Sequence, residues 1–204
     1  MAAPLIESWV ARSLADPGVM NRRVRDVHAY LLRRPAVRVI GKDWTAPQGS
    51  YTHLPCYPVG QQPTGIAFET EPGMAPTNSA GSVVGLLAPR DGTYRFTVGA
   101  NVAPGGKAAS SPDQPALLYL DVAVLAQPDF STSAVTANAV TTGALPTWSA
   151  YSLGGTFSVD LALKAGQFVS VVARTPDLSG ISWSDPRFHT ASCFQELRQI
   201  GELP

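Results

Sequence analysis

The sequence predicts an all-β protein, an antiparallel jelly-roll sandwich preceded by a short N-terminal α-helical hairpin and an extended Pro-rich arm. Three observations predict it. Ten residues, Thr93 to Val102, alternate without a fault: Tyr94, Phe96, Val98, Ala100 and Val102 fall on one side, Thr93, Arg95, Thr97, Gly99 and Asn101 on the other. A period of two places successive side chains on opposite faces of a strand. From Ile66 onward similar segments follow one another between turn residues, as in a sandwich or roll. Only 15% of the chain is charged, beside 18 Gly and 18 Pro that fall into no repeat. That composition fits many turns and a surface partly covered by copies of the same chain.

Residues 1–34 read as a helical attachment segment. "PLIESWVARSLA" carries Leu5, Ile6, Trp9, Val10 and Leu14 near an i, i+3, i+4 pattern,. Asp16 and Pro17 read as an N-cap with a first-turn proline. The helix they start stripes Met20, Val24, Val27 and Leu31 before Pro35 ends it. Two such short helices cannot bury their apolar faces alone. Trp9 and the cluster Arg22, Arg23, Arg25 are therefore expected at an attachment to another subunit.

Residues 35–65 read as an extended arm. Pro47, Pro55, Pro58 and Pro63 exclude a helix and disfavour an interior strand. Trp44, Tyr51, Leu54 and Tyr57 make the segment too apolar for a free linker. It is expected to lie along a neighbouring surface, with Trp44 among its contacts.

Residues 66–204 read as the head. Strands are expected at 66–70, 82–88, 93–102, 116–126, 148–153, 155–164, 167–175 and 188–200, and no helix after residue 65. Strand 116–126 is apolar on both faces, with Leu118, Leu120, Val122 and Val124 on one and Leu117, Tyr119, Ala123 and Leu125 on the other. One face of an antiparallel sandwich strand is normally wet. Two dry faces imply cover by a second copy, which places Leu117, Tyr119 and Leu125 in an oligomer interface.

"GLLAPRDGTYRFTVGANV" resembles the signature of the tumour-necrosis-factor and complement-globular-head jelly rolls, in which a Pro-x-x-Gly-x-Tyr-x-Phe turn starts a central strand. "FSVDLALKAGQFVSVVA" resembles their Leu-x-Leu-x-x-Gly-Asp-x-Val hairpin, with Gln167 where Asp is usual. "FHTASCFQELRQI" resembles their closing strand, with Phe194 as its aromatic and Gln195 where Gly is usual. The resemblance covers about residues 66–200. It implies a homo-oligomer, a trimer about an apolar sheet face, and joins Phe194 to the expected interface. Five-fold packing at a vertex stays open.

Charge and motifs exclude several classes. The net charge is zero, so nucleic-acid binding by the whole molecule is not expected. The charge is divided, however: residues 1–45 hold eight basic and four acidic residues, 46–204 seven and eleven. A basic foot precedes a mildly acidic body. "MAAPLIESWV" has no basic region and no long apolar run, so no export signal is expected. No segment approaches a membrane span, and no Asn-x-Ser/Thr occurs. Cys56 and Cys193 are too far apart for a metal knuckle or redox motif. In a cytoplasm they are expected as reduced, buried thiols.

No catalytic, metal or cofactor constellation stands out. His28, His53 and His189 form no metal pair. A Ser182, Asp185, His189 triad can be drawn but lacks a nucleophile elbow, and no phosphate-cradling glycine loop occurs. Asp113, Asp129 and Asp177 read as solvated turn residues rather than calcium ligands. The late loops 128–154 and 176–188 carry Trp148, Tyr151 and Trp183 among small polar residues. Such rings stack on sugar C–H faces, which makes them candidate contacts for a host-surface saccharide; equally, they fit a plug at the end of the sandwich or an oligomer contact.

The expectation is a non-enzymatic virion structural protein, assembled in the host cytoplasm: a trimeric spike, tail-fibre or capsid-decoration subunit. Its partners are itself and other proteins of capsid or tail, with no cofactor, no membrane and no nucleic acid. Alternatives are a carbohydrate-binding receptor-recognition module and a non-viral bacterial jelly-roll binding protein.

Overall fold

The computed structural model of the chain describes residues 34–45, 49–63, 66–103, 116–147, 153–174, 187–188 and 193–203. Pro35–Leu203 forms one compact unit and Met1–Arg34 belongs to another. Trp9, Arg22, Arg23 and Arg25 lie outside the described residues.

The described unit is an antiparallel β-sandwich. Its strands are β1 (Ala36–Ile40), β2 (Trp44–Thr45), β3 (Tyr51–His53), β4 (Phe68–Glu69), β5 (Gly85–Leu87), β6 (Gly92–Ala103) and β7 (Ala116–Leu125). A helix, α1 (Thr132–Ala137), precedes β8 (Ala139–Thr147), β9 (Leu153–Leu163), β10 (Phe168–Arg174), β11 (Arg187–Phe188) and β12 (Phe194–Gly201). A seven-stranded sheet runs β2-β11-β6-β12-β1-β4, with β9 also on β6; a five-stranded sheet runs β3-β10-β7-β8, with β5 also on β10.

The alternation in β6 lands as the sequence predicts. Tyr94, Phe96, Val98 and Ala100 are buried between the sheets, and Arg95 is exposed. They meet Val169, Val171 and Ala173 of β10 and Leu120 and Val122 of β7 in one core. Each large apolar side chain buried there contributes about 1.5–3 kcal/mol. Tyr94 is buried with its hydroxyl donating to the Arg90 carbonyl at 2.9 Å, and burial pushes the phenol up to about 12. Between β9 and β10, Gly166 takes φ 85°, a left-handed conformation that closes the hairpin and that L residues rarely adopt,.

Four expectations are corrected. Residues 35–65 are not an arm along a neighbour: β1 lies between β12 and β4 inside the seven-stranded sheet, and Leu54 and Cys56 are core residues. The prolines misled because they cluster in the links between short strands, while "AVRVI" at Ala36–Ile40 is an interior strand. Helix α1 appears where none was expected; six residues are too few to display a helical period,. Strand β8 occupies 139–147 in a stretch expected to be loop. It contains Pro146, which a strand tolerates at a sheet edge, where β8 lies,. The last expected strand divides into β11 and β12.

Candidate functional site

The outer face of the five-stranded sheet is divided in two by what lies over it. Strand parity turns Phe168, Ser170, Val172 and Arg174 of β10 away from the core, opposite Leu125, Ala123, Asp121 and Tyr119 of β7. At the Phe168 end the chain roofs itself. Asp129 Oδ1 accepts from the Ser131 amide at 2.9 Å and its hydroxyl at 2.8 Å. Ser131 in turn caps α1, its Oγ accepting from the Ala134 amide at 3.3 Å,. The helix then seats Val135 in a second small core with Ala123, Leu125, Phe168 and Val172. Phe130 meets Phe168 edge to face, with ring centres 5.7 Å apart,.

Leu125, expected at the oligomer interface, is therefore covered by its own chain. At this end the second apolar face of β7 needs no partner, because the residues between β7 and β8 fold back over it.

His53 marks the edge of the roof. It stands opposite Val172, with Nε2 3.0 Å from the Phe130 carbonyl. Nδ1 is 3.5 Å from Ser170 Oγ, whose proton goes to the Val84 carbonyl at 2.7 Å. Neutral His53 with its proton on Nε2 suits these partners. Desolvation holds its pKa below the usual 6.5, against the opposing pull of backbone groups at Phe130 and Val171 and the charge of Asp129,.

Beyond His53 no described residue roofs the face. Arg174 stands in one row between Tyr51 of β3 and Tyr119 of β7. Its guanidinium carbon is 4.5 Å from the Tyr119 ring centre and 5.9 Å from that of Tyr51, both within cation–π range. Arg174 Nε is 3.6 Å from Asp121 Oδ2, while Asp121 Oδ1 accepts from Thr142 Oγ1 at 2.7 Å. Tyr51 is 46% exposed and Asp121 only 8%. Among the described residues nothing accepts a hydrogen bond from the outer nitrogens of Arg174. Strand β8 ends at Thr147 and β10 at Arg174, at this same end, and residues 148–152 and 175–186 come next in the sequence. Trp148, Tyr151 and Trp183 belong to them and lie outside the described residues.

The outer face of the seven-stranded sheet is of another kind. Arg95 grips Asp160 with two hydrogen bonds of 2.8 and 2.9 Å, Thr97 meets Ser158 at 3.0 Å, and Glu196 pairs with Arg38 and Arg198. Phe194 stands here opposite Gly99. Its ring occupies the space of a side chain, 2.1 Å from where a Cβ on residue 99 would sit, so only glycine fits. The Arg38 guanidinium stacks 3.8 Å from the ring centre. Phe194 and Tyr119 thus lie on opposite outer faces of the sandwich. Leu117 is placed in β7 opposite Pro146; its side chain lies outside the described residues. Trp44, expected at the particle, pairs with Phe188 in β2 and packs against the head's own core.

Among the described residues no three His, Cys, Asp or Glu side chains gather as metal ligands. His28, His189, Ser182, Asp185, Asp113 and Asp177 lie outside them. Cys56 and Cys193 are buried thiols. Burial pushes Cys56 up to about 12, while Gln195 Nε2 donates to its sulfur at 3.5 Å. The sequence reading passed over Tyr51, His53, Asp121 and Arg174 as site residues. Their signal was parity alone: each falls one step out of phase with core-facing neighbours.

No protein-family model matches the chain, and no curated protein matches it in sequence. Among solved structures it is similar to the crystal structure of murine APRIL at pH 5.0, with 8% identity and a TM-score of 0.50 over 82% of this chain and 99% of that one. The head is an all-β, antiparallel jelly-roll sandwich of the tumour-necrosis-factor-like kind.

Proposed function

We propose that the chain is a non-enzymatic virion structural protein, a trimeric jelly-roll spike, tail-fibre or capsid-decoration subunit that its N-terminal segment attaches to the particle. The observation that carries this reading is the head's polarity along its strands. Ala36 stands opposite Arg198, which stands opposite Arg95 and so near the start of β6 and the β9–β10 turn. The Tyr51–Arg174–Tyr119 row stands at the far end of β10. A subunit entered at one end and presenting a polar, aromatic surface at the other is built as a projection. Self-association is assigned to the outer face of the seven-stranded sheet around Phe194, whose ring packs on Gly99. The jelly-roll likeness supports the trimer.

Phe194→Glu is expected to yield monomers in sedimentation that keep the circular dichroism of the folded head; an unchanged oligomer overturns the interface. Deleting residues 1–34 is expected to leave a folded head that no longer joins particles in electron microscopy. A deletion through residue 45 also removes β1 and is expected to unfold the head.

A second reading, saccharide recognition, is favoured by the far-end row, and in sequence Trp148, Tyr151 and Trp183 follow the strands that end beside it. Its test is a glycan array with the intact protein and with the Trp148→Ala/Trp183→Ala variant.

A further inference from the structure

We propose that the open end of the five-stranded sheet is a site for an acidic saccharide, with Arg174 taking the carboxylate of a uronate-type sugar and Tyr51 and Tyr119 flanking its ring. This rests on the saccharide-recognition reading and commits it to residues and to a ligand class.

The guanidinium is oriented but not used up. Asp121, itself fixed by Thr142, stands on the Nε side at 3.6 Å, longer than a hydrogen bond. It turns the arginine, and no other described residue takes up its donors. The outer nitrogens keep a planar, forked edge that matches a carboxylate with two parallel N–H···O bonds, which an ammonium cannot reproduce. A tyrosine stands one strand away on each side, about 4.8 Å in the hydrogen-bonding direction. Their rings offer flat faces suited to sugar C–H groups and hydroxyls suited to its polar rim.

The occupant follows from having both chemistries in one row. Inorganic phosphate would use the arginine and leave the rings idle. An acidic peptide carries its carboxylates on flexible stems with no flat apolar face beside them. A uronate presents a carboxylate and a ring with C–H faces in one rigid residue. The roof over the other end of the sheet confines the ligand to this end, since α1 already occupies the equivalent surface above Leu125 and Phe168.

The test is calorimetry of the full chain against oligosaccharides of galacturonate, glucuronate and mannuronate, their carboxyl-reduced neutral counterparts, polyglutamate and inorganic phosphate. At least one uronate is expected to bind about tenfold or more tighter than its reduced counterpart. Arg174→Gln is expected to lose that preference and Tyr51→Ala to weaken binding several-fold, both remaining folded by circular dichroism at the temperature of the titration. Equal binding of the reduced sugar, equal or tighter binding of polyglutamate or phosphate, or no uronate binding at all overturns the proposal. If saccharide binding survives Arg174→Gln but is lost in Trp148→Ala/Trp183→Ala, saccharide recognition stands and this site falls.

Discussion

Strands β7 and β10 run side by side, yet the two ends of their shared outer face have opposite fates. At one end Leu125 and Phe168 are sealed beneath Val135 of α1. At the other Tyr119 and Arg174 meet solvent beside Tyr51. The residue types announce the difference, aliphatic and phenyl groups against phenols and a guanidinium. The difference teaches that an outward apolar residue reports a need for cover and not the source of the cover. A short segment of the same chain meets that need where a second copy might have been invoked.

Substitutions can test how far the two ends differ. The largest effect is expected from Val135→Asp, which buries an unpaired charge in the roof and should cost about 3–5 kcal/mol in denaturant unfolding. A loss below 1 kcal/mol would mean that the roof is not packed. Ser131→Ala removes the cap of α1 and should cost about 1 kcal/mol, read as faster hydrogen exchange in Thr132–Ala137 with the Tyr94 region of β6 unaffected. Acid should act in the same direction as these changes. The folded pKa of His53 lies below its unfolded value of about 6.5, so its neutral form contributes stability that is present above pH 6.5 and is lost as pH falls toward the folded value,. Melting should therefore fall between pH 7 and 5, and His53→Gln should flatten that slope; an unaltered slope would remove His53 from the roof's edge. The smallest effect is expected at the open end, where Tyr51→Ala should change stability by no more than about 0.5 kcal/mol. A larger loss there would erase the contrast.

What was legible in the sequence follows the same division. Strands with one wet and one dry face, such as β6 with Arg95 beside Tyr94 and Phe96, declare themselves through a period of two. So does β9, while β10, dry on both faces from Phe168 to Ala173, declares itself as a nearly unbroken apolar run after Gly166. The pieces that escaped are those whose pattern is too short or whose composition argues against them. Helix α1 has one buried residue, Val135, and no second turn to repeat it. Strand β8 reads "AVTTGALPT" and owes its place to pairing with β7, not to its own propensity,. The far-end row was illegible for a different reason. Tyr51 and Arg174 are 123 positions apart in the chain, and only the pairing of β3 with β10 makes them neighbours.

The position of β1 has a mechanical meaning. It enters the head between β12 and β4, pairing from Ala36 opposite Arg198 to Ile40 opposite Phe194. Tension between an anchor on the N-terminal side and a load at the far end pulls along the strand axis. Ladder hydrogen bonds lie across that axis, so all the pairs of β1 resist together in shear. Tension between the two ends of the head, where the Gln199 amide donates to the Pro35 carbonyl, would instead peel the pairs apart one after another. Forced unfolding follows the rate of escape rather than the equilibrium. The head is therefore stiff to a pull along the axis of β1 and soft to a pull between residues 35 and 199.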